Sequence, residues 1–476
     1  MSSIVNMPIR AKPYEHQRQA FHFACQQFGL HDGILHSAGV AMLVEMGCGK
    51  SLLSIGVTGA LENAGFVKKV LIVAPLSILG VWKVEFEKFA DFDYCLEVFT
   101  GSTSKKADKL RSLQSTYLQI IVLNYESVWR MEKELLAWQP DLVIADEGHK
   151  IKTHNISAAK AMHRLGSAAK YRLLLTGTPI TNKAIDIFSQ YKFLNQSIFG
   201  PSYYAFRNRY FDMVGYGNYT PVLKKLMEQE LNEKIHSIAF RATKAECLDL
   251  PATTDIVRSV DLEPSAMRMY QNLVKDSFTE LSKGEVSVTN VLTRLLRLSQ
   301  LTGGFIGADE QCTIEQVSHS KLDVLEDIID TAIEEGSKLV VIARFVPELR
   351  AICKLLDKKG IKHSLIMGGV TNREEQVSQF QNNPEVKVFV GQISTAIGIT
   401  LTAASTMVFY SLDYSMCNFE QAKARIHRAG QHNPCTYIYL TAKGTVDEKV
   451  LKALKQKADL AKTMIDDFRM GQNPFQ

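Results

Sequence analysis

The stretch GVAMLVEMGCGKS, residues 39–51, joins an apolar run to a glycine-containing loop and then to Lys50 and Ser51. An apolar run without polar alternation is typical of a strand that is covered on both faces, as in a parallel sheet. The glycines allow close backbone approach to a ligand, and a helix that begins after them aims its N–H groups at an anion. The stretch therefore predicts a strand, loop and helix that can bind a phosphate.

Similar apolar runs recur along the chain, separated by helical patterns with charged faces. This alternation predicts an α/β fold in which two parallel-sheet lobes lie in tandem, with helical insertions at about 183–330. CLDLPATTD (247–255) is interpreted as the crossover, so we expect lobes at 1–246 and 247–476. The predicted strands are KVLIVAPL (69–76), QIIVLNY (119–125), DLVIADE (141–147) and YRLLLTGT (171–178), then SKLVVIARF (337–345), KHSLIMGG (362–369), VKVFVGQIS (386–394) and STMVFYSL (405–412).

Composition narrows the class of protein. The 476 residues are 46% hydrophobic and 22% charged, which fits a soluble globular protein of several domains. A net charge of +5 permits a polyanionic partner without requiring one. The 8 cysteines form no CxxC pair, which argues against a zinc site or disulfide framework and favours a reducing compartment. Since the N-terminal stretch MSSIVNMPIRAKPYEHQ lacks an apolar run of signal-peptide length, and nowhere do 18 uncharged apolar residues follow one another, we expect neither secretion nor a membrane partner.

The glycine loop departs from the full phosphate-loop pattern. The pattern G-x-x-x-x-G-K-[ST] places Gly where this chain has Val44, and only Gly47, Gly49, Lys50 and Ser51 match the loop and helix start. Taken alone, the stretch is also compatible with an ordinary glycine turn between a strand and a helix.

DLVIADEGH (141–149) ends an apolar strand with two adjacent carboxylates. One of Asp146 and Glu147 can hold Mg²⁺ while the other orients and activates a water molecule, although a solvated acidic turn would look similar. A nuclease site is disfavoured because such sites usually need Glu-x-Lys, whereas two residues separate Glu147 from Lys150. Together with the lysine loop, the pair predicts a triphosphate and its metal at the carboxyl edge of one sheet. Thr176 and Thr178 follow another strand and either sense the nucleotide or cap a turn.

QAKARIHRAGQ (421–431) concentrates cations without an acidic residue to neutralise them. Arg425 and Arg428 are spaced i, i+3, so we expect the two guanidinium groups to share one helix face. If the lobes face each other across a cleft, these arginines complete the γ-phosphate site, a contribution worth about 10³ to 10⁵ in rate. The alternative is an exposed basic helix.

The order of these motifs resembles the Swi/Snf family of helicase superfamily two over about residues 10–450. PYEHQ (13–17) is similar to the Q motif, EMGCGKS (45–51) to motif I, VAPLSILGVWKVEF (73–86) to motif Ia, NYES (124–127) to the next nucleic-acid motif, DEGHKIK (146–152) to motif II and LTGTPITN (175–182) to motif III. LVVIARF (339–345), GQISTAIGITLTAAS (391–405) and QAKARIHRAGQ are similar to motifs IV, V and VI. The chain's compactness resembles phage or bacterial members, which implies the cytoplasm of a bacterial or phage-infected cell.

The resemblance implies two RecA-like lobes, ATP and Mg²⁺ as cofactors, and hydrolysis coupled to movement of a monomeric motor along double-stranded DNA, with branched DNA as a further substrate option. By the resemblance, Lys50 would hold the β- and γ-phosphates, Ser51 and Asp146 would hold Mg²⁺, and Glu147 would activate water. Arg425 and Arg428 would be the arginine fingers. ATP binding would also involve Gln17, Met46, Gly47, Cys48, Gly49 and Gly398, and coupling would involve His149, Thr176, Gly177, Thr178, Gln421 and Gln431. DNA contacts are expected at Pro75, Ser77, Tyr125, Ser394, Thr395, Arg294 and Arg297, although a solvated helix face also explains the last two.

Three departures from the family pattern bear on nucleotide affinity and DNA contacts: Val44, Thr181 where the family favours Gln, and STAIG in motif V. Alternative functions stay open. They are an RNA-dependent relative, the motor subunit of a restriction or defence complex, and a DNA-binding scaffold whose ATPase has decayed. The intact catalytic side chains argue against the scaffold.

Overall fold

The computed structural model describes residues 5–177, 184–214, 220–247, 250–283, 288–307, 314–370, 372–395 and 398–456. For residues 77, 220, 244, 245, 277–283 and 288–292 it describes the backbone alone. The chain divides into two compact units, Met1–Asp249 and Leu250–Gln476. No helix in these described ranges is both long and apolar enough to cross a membrane.

The first unit is built on a parallel sheet. The strands described in this unit are β1 (Gly39–Val44), β2 (Lys69–Ala74), β3 (Tyr94–Val98), β4 (Leu118–Asn124), β5 (Leu142–Asp146), β6 (Tyr171–Leu175), β7 (Phe211–Val214), β8 (Thr220–Leu223) and β9 (Ala239–Ala242). Within the described residues the sheet order is β3-β4-β2-β5-β6-β1-β9, and β7 pairs antiparallel with β8. Because every pairing in the large sheet is parallel, the loops after β1, β2, β4, β5 and β6 all leave at its carboxyl edge.

The helices of the first unit connect these strands. They are α1 (Glu15–Gln27), α2 (Lys50–Asn63), α3 (Leu79–Phe89), α4 (Thr103–Ser112), α5 (Tyr125–Arg130), α6 (Glu132–Trp138), α7 (Ser157–Ala168), α8 (Ile187–Leu194), α9 (Tyr203–Tyr210), α10 (Glu228–His236) and α11 (Lys244–Cys247). Short 3-10 helices span Leu76–Ile78, Gly148–Ile151, Ala184–Asp186 and Lys225–Met227.

The second unit repeats the parallel plan. Its strands are β10 (Thr253–Val260), β11 (Phe305–Gly307), β12 (Ile314–Gln316), β13 (Leu339–Ala343), β14 (His363–Ile366), β15 (Val388–Gln392), β16 (Thr406–Phe409) and β17 (Cys435–Ala442). Its helices are α12 (Pro264–Lys283), α13 (Val288–Thr302), α14 (Ser320–Glu334), α15 (Val346–Lys358), α16 (Arg373–Asn382), α17 (Met416–Lys423) and α18 (Val446–Lys455). In the described part, the main sheet runs β10-β17-β16-β13-β15-β14, and β11 pairs with β12.

Strand β13 shows why the apolar runs lack alternation. Val340 and Ile342 belong to one apolar cluster, whereas Leu339, Val341 and Ala343 belong to another on the opposite face. All five are buried, since helices cover the sheet on both sides. A strand of this kind cannot carry polar residues at every second position without burying them.

The predicted α/β class with two parallel-sheet lobes in tandem is confirmed. The predicted runs all contain strands, but β3, β9, β10 and β17 of the two main sheets are missing from the prediction, as are the strands of the two small antiparallel pairs, β7 with β8 and β11 with β12. β3 is only partly buried along its length, β9 has four residues and β10 is a mostly exposed edge strand, so none of the three carries a long apolar run. β17 does carry one at Cys435–Ala442, directly after the arginine-rich segment.

Candidate active site

The loop of residues 45–49, called the phosphate loop from this point, has a backbone that favours glycine. Gly47 and Gly49 have φ values of 89° and 88°, in the left-handed region that other residues enter at a cost. A Cβ atom on Gly49 would lie 2.2 Å from Nε2 of Gln17. The N-cap residue of α2 is Gly49, which has no side chain to cap the helix, so the N–H groups of the first turn can donate to an anion.

Helix α1 supports the phosphate loop from one side. The Gln17 side-chain amide donates to the Cys48 carbonyl over 3.1 Å, and Nε2 of His16 lies 3.0 Å from the same oxygen. The Tyr14 N–H donates to Oε1 of Gln17 over 2.9 Å. The structure thus brings Gln17 to the loop as a buried supporting residue, while its reading of adenine stays a prediction. The predicted ATP-binding residues of the first unit lie together in this region: Gln17, Met46, Gly47, Cys48, Gly49, Lys50 and Ser51.

Lys50 occupies the first turn of α2, and its ammonium points back along the loop. Its Nζ donates to the Val44 carbonyl over 3.2 Å. Val44 itself is fully buried as the last residue of β1, so the residue that departs from the phosphate-loop pattern is a strand residue whose carbonyl holds the lysine.

Asp146 lies at the end of β5 with both carboxylate oxygens engaged. Nε1 of Trp82 donates to Oδ2 over 3.1 Å, and the Glu147 N–H donates to Oδ1 over 2.9 Å. Burial and the adjacent Glu147 carboxylate raise the pKa of Asp146 above its usual range, and the Lys50 ammonium opposes this rise. Such a carboxylate gains from a nearby divalent cation, which offsets the charge that burial disfavours.

Trp82 is a site residue that the sequence prediction missed. It lies on α3 with 2% of its surface exposed, and its indole donor reaches the aspartate from the helix that follows β2, the strand beside β5. Tryptophan in an apolar helix ordinarily indicates core packing. The signal that could have found it is its place in VAPLSILGVWKVEF, the segment similar to motif Ia.

We expect Trp82→Phe to lower the apparent affinity for Mg²⁺ or the turnover by about 10- to 100-fold, the usual cost of losing a partner that orients a metal ligand. The ring stays apolar and of similar shape, so the lost donor dominates the effect. The measurement is ATPase rate against Mg²⁺ concentration. Trp129→Phe is the control, because Trp129 is 43% exposed and should be dispensable. Equal behaviour of both variants would contradict the role of Trp82.

The turn after Asp146 holds Glu147 in an uncommon backbone conformation. Glu147 has a φ of 52°, and a non-glycine residue in this region costs on the order of 1–3 kcal/mol. Nδ1 of His149 lies 3.3 Å from Oε2 of Glu147, and both side chains are buried. The predicted coupling residue His149 therefore contacts the predicted base directly and can orient it.

Gly148 allows this turn to pack against β6. A Cβ atom at Gly148 would lie 2.4 Å from Cγ of Leu174, and the two Cδ atoms of Leu174 would be 2.7 Å away.

We expect Gly148→Ala to lower the free energy of unfolding by about 1–3 kcal/mol, the usual range for overpacking a core. The measurement is urea unfolding. Gly80→Ala in α3, where an added Cβ meets nothing within 4 Å, is the control and should not destabilise. A Gly148→Ala protein as stable as this control would contradict the packing argument.

Tyr125 does not lie where a DNA contact requires it. Its side chain is 4% exposed, and its hydroxyl donates to the Asp146 carbonyl over 2.6 Å. Burial raises its pKa well above the ordinary range, with smaller contributions from Asp146 and Glu147. The predicted DNA contact is therefore corrected: Tyr125 supports the acidic turn from inside the unit. The hydroxyl can be satisfied there because the parallel strands β4 and β5 end at the same edge.

The other predicted residues of this edge lie on neighbouring loops. Pro75 is partly exposed and precedes the 3-10 helix Leu76–Ile78, whereas the side chain of Ser77 lies outside the described residues. Thr176 is fully buried, and its N–H donates to the Met42 carbonyl over 3.1 Å. A Cβ on Gly177 would lie 3.2 Å from Cα of Glu45, so this glycine packs closely on the phosphate loop. Thr178 and Thr181 lie outside the described residues.

In the second unit, the predicted shared helix face of Arg425 and Arg428 is wrong. α17 ends at Lys423, and both arginines lie in the turns that follow. Nε of Arg425 donates to the Gln421 carbonyl over 2.8 Å, while the Arg425 N–H donates instead to the Ala422 carbonyl. The side chain thus donates to the carbonyl that the next helical hydrogen bond would use, at the point where the helix ends.

The two arginines nevertheless converge on one point. Nη1 of Arg425 donates to the Ile399 carbonyl over 3.2 Å, and Nη1 of Arg428 lies 3.5 Å from the same oxygen. Arg428 also donates to Oγ1 of Thr400 over 2.8 Å. Arg425 is buried and Arg428 is partly exposed. Both guanidinium groups are held by Ile399 and Thr400 of the segment similar to motif V.

Gln431 and Gln421, predicted as coupling residues, are both buried within the second unit. Nε2 of Gln431 donates to the Ala404 carbonyl over 2.8 Å and to the Ile426 carbonyl over 3.1 Å. Its Oε1 accepts from the N–H groups of His432 and Asn433. Gln431 therefore clamps the arginine turn to the loop before β16, a local role that sequence spacing does not reveal.

The remaining predicted residues of the second unit lie on several elements. Ser394 is exposed and Thr395 partly buried after β15, where Oγ1 of Thr395 donates to the Gln392 carbonyl over 3.1 Å. Gly398 has a φ of 82°. On α13, Arg294 is partly buried and Arg297 exposed, and their DNA contacts stay a prediction.

Residues 16–303 match the family described as the SNF2-related domain, and residues 320–430 match the helicase conserved C-terminal domain. The chain belongs to the SNF2-related family. The resemblance to Swi/Snf helicase-like ATPases is thereby confirmed, and this SNF2-related chain is an enzyme of the ATPase class. Its likeness to compact phage or bacterial members stays a prediction.

Known relatives of this SNF2-related chain include DNA repair and recombination protein RDH54 of Saccharomyces cerevisiae, 28% identical over 91% of the chain and 52% of the relative. Chromodomain-helicase-DNA-binding protein 1-like of Danio rerio is 26% identical over 90% of the chain and 42% of the relative. The chain thus spans about half the length of these curated relatives. The solved SWI2/SNF2 ATPase core of Sulfolobus solfataricus in complex with dsDNA is 26% identical, covers 97% of this chain and 95% of that chain, and has a TM-score of 0.47.

Proposed function

We propose that the chain hydrolyses ATP in response to double-stranded DNA and uses the energy to move along the duplex. The observation that carries the proposal is that Lys50 begins α2 after β1, while Asp146 ends β5 and Glu147 follows it, so the lysine and the carboxylate pair lie at the same edge of one parallel sheet. A cation beside a phosphate loop and a buried carboxylate pair are the two halves of a nucleotide-and-metal site.

The residues fit ATP and Mg²⁺. The uncapped start of α2 and the left-handed glycines suit a phosphate, with Lys50 as its cation. Ser51 and Asp146 would hold Mg²⁺, and the described residues contain no cluster of three His, Cys, Asp or Glu that would form an all-protein metal cage. This agrees with the habit of Mg²⁺, which takes one or two protein ligands and completes its shell with phosphates and waters. Bound there, the metal would neutralise charge on the phosphates.

Different side chains of the protein would then carry out different parts of the hydrolysis. Glu147 orients the attacking water and accepts its proton, and His149 fixes the Glu147 carboxylate in position. Trp82 and Tyr125 keep Asp146 in place through its carboxylate and its carbonyl. Arg425 and Arg428 would stabilise the negative charge that develops on the transferred phosphoryl group.

Double-stranded DNA is the proposed partner because RDH54 is named as a DNA repair and recombination protein and because the chain carries a net charge of +5. We propose that Ser394, Thr395 and Arg297 contact the phosphate backbone of the DNA, since hydroxyls and guanidinium groups are typical phosphate ligands. Monomeric action, branched DNA as a preferred form and a location in a bacterial or phage-infected cell stay predictions.

The test compares ATPase rates of the purified protein without nucleic acid and with duplex DNA, branched duplex, single-stranded DNA or RNA. We expect duplex DNA to stimulate most. Displacement of a third strand from a triplex, which reports movement without strand separation, should require ATP. Selective stimulation by RNA would transfer the assignment to an RNA-dependent ATPase, and stimulation without displacement would contradict translocation.

A further inference from the structure

A groove of about 500 Å³ opens on the helical face of the first unit, between α6, α7 and α8. The polar side chains that line it are Lys160, His163, Arg164, Ser167, Lys192 and Gln196. No aspartate or glutamate is among the described residues of its lining, although Glu132 beside it binds Arg164 through both carboxylate oxygens. The groove, called the lysine groove from this point, is therefore positively charged.

Lys160 and Lys192 supply the charge that a ligand can use. Lys160 is exposed, and no carboxylate of the described residues pairs with it. Lys192 is partly buried, and its Nζ donates to the Pro201 carbonyl over 2.9 Å. A carbonyl is a neutral acceptor, so it orients the ammonium without neutralising it. The guanidinium of Arg164, by contrast, is already neutralised by Glu132.

The lysine groove lies toward the end of the unit away from the phosphate loop. Arg172 stands near the start of β6, where its Nε donates to the Leu194 carbonyl over 2.8 Å and its Nη1 to the Ala169 carbonyl over 2.9 Å. The last turns of α7 and α8 are thereby fixed at the amino edge of the sheet. Lys50 and Asp146 belong to the opposite, carboxyl edge. A ligand of the groove would not overlap the ATP site.

Aromatic side chains extend the surface from Lys192 along α8 and α9. Nζ of Lys192 lies 5.9 Å from the centroid of the Phe188 ring, and this ring is 5.5 Å from the ring of Tyr203. The next residue, Tyr204, is 65% exposed, and the Arg207 guanidinium lies 5.1 Å from its ring centroid. A tyrosine hydroxyl and a guanidinium group beside free ammonium groups are typical ligands of nucleic-acid phosphates.

The neutral donors of the groove indicate what kind of anion fits. Nε2 of Gln196 donates to Oγ of Ser167 over 3.1 Å, and Oγ of Ser167 donates to the His163 carbonyl over 2.9 Å. These groups are already engaged with each other, so charge, and not a set of converging donors, would hold the ligand. Separated cations on two helices suit the repeated phosphates of a nucleic-acid backbone better than a single small anion.

We propose that the lysine groove binds the phosphate backbone of a second segment of duplex DNA. The inference rests on the proposed function, which supplies duplex DNA as the partner. Pro75, a predicted DNA contact of the first unit, follows β2 at the carboxyl edge. A duplex segment at that edge leaves the groove free for another segment. The chain would then hold two duplexes at once, with Lys160 and Lys192 as contacts of the second.

The experiment binds the full chain to an immobilised short duplex and measures capture of a second, fluorescent duplex. We expect capture by the wild type and at least about tenfold less by Lys160→Gln/Lys192→Gln, because each lost phosphate contact weakens binding. ATPase stimulation by one short duplex should be unchanged, since neither lysine lies at the ATP-binding edge. Lys354→Gln/Lys358→Gln is the matched control, because it removes two exposed lysines from α15 and should capture like the wild type.

Lysine acetylation mapped by mass spectrometry gives a second readout. Lys160 and Lys192 should be protected when both duplexes are bound, while Lys354 should react as in the free protein. Absence of capture by the wild type, equal capture by the two double variants, or unprotected groove lysines would overturn the proposal. Capture of a second duplex without any DNA-stimulated ATPase would instead reject the proposed function and leave the lysine groove as a DNA-binding surface.

Discussion

Replacing Glu147 with glutamine should lower the turnover of ATP by about 10² to 10⁴-fold, the range attributed to general base catalysis. Glutamine keeps the size of the side chain but cannot accept a proton from the attacking water. The His149 contact 3.3 Å from Oε2 indicates that the carboxylate is oriented by its surroundings, so the amide should sit in the same place. Nucleotide binding should persist, because the phosphate loop and Lys50 are unchanged.

The measurement combines single-turnover hydrolysis with equilibrium binding of a fluorescent ATP analogue. Glu87→Gln, an exposed change on α3 in the same unit, is the matched control and should retain full activity. A Glu147→Gln enzyme that turns over within tenfold of the control would mean that another group activates water. Loss of nucleotide binding in the variant would instead indicate that the strained turn had rearranged.

Replacing Arg428 with alanine should lower turnover by about 10³-fold or more, the lower end of the range for an arginine that stabilises the transferred phosphoryl group. Arg428 is the better target of the pair because it is partly exposed, whereas Arg425 is buried and also bonds to the Gln421 carbonyl of α17. Removing Arg428 leaves Thr400 and Ile399 near solvent, so the fold should survive. Nucleotide binding should change little, since the effect belongs to the transition state.

The control for this prediction is Arg350→Ala, which removes an exposed arginine from α15 of the same unit. Thermal unfolding of both variants should match the wild type within a few degrees. Unchanged turnover in Arg428→Ala would reject its assignment as a catalytic cation. A loss of nucleotide affinity that accounts for the whole effect would assign Arg428 to binding.

Much of the candidate site could be predicted because its chemistry is local. Lys50 follows two glycines, and Asp146 and Glu147 are adjacent, so a short window of sequence contains each half of the site. The supporting contacts are a different matter. Trp82 reaches Asp146 and Tyr125 reaches the Asp146 carbonyl only because β2, β4 and β5 end side by side. An aromatic residue that supports a site has the same sequence signature as one that fills a core.

The arginine segment shows the limit of spacing arguments. The i, i+3 interval predicts a shared helix face only if the helix continues, but the helix ends at Lys423 and the Arg425 N–H donates to the Ala422 carbonyl. The convergence of both guanidinium groups then depends on Ile399 and Thr400 from another loop. The spacing predicted that the two charges lie together. They do, but they do not lie on the shared helix face from which this was predicted.

The sequence by itself determined the parallel α/β class and the identity of the charged groups, because unbroken apolar runs can only be buried on both faces and because lysine, carboxylate and guanidinium chemistry belongs to the side chain. Only the tertiary structure decided which groups support them and how the arginines converge. Those contacts join residues brought together by strand order and by the ends of helices. Neither the strand order nor the helix ends can be predicted from residue spacing within a single stretch of sequence.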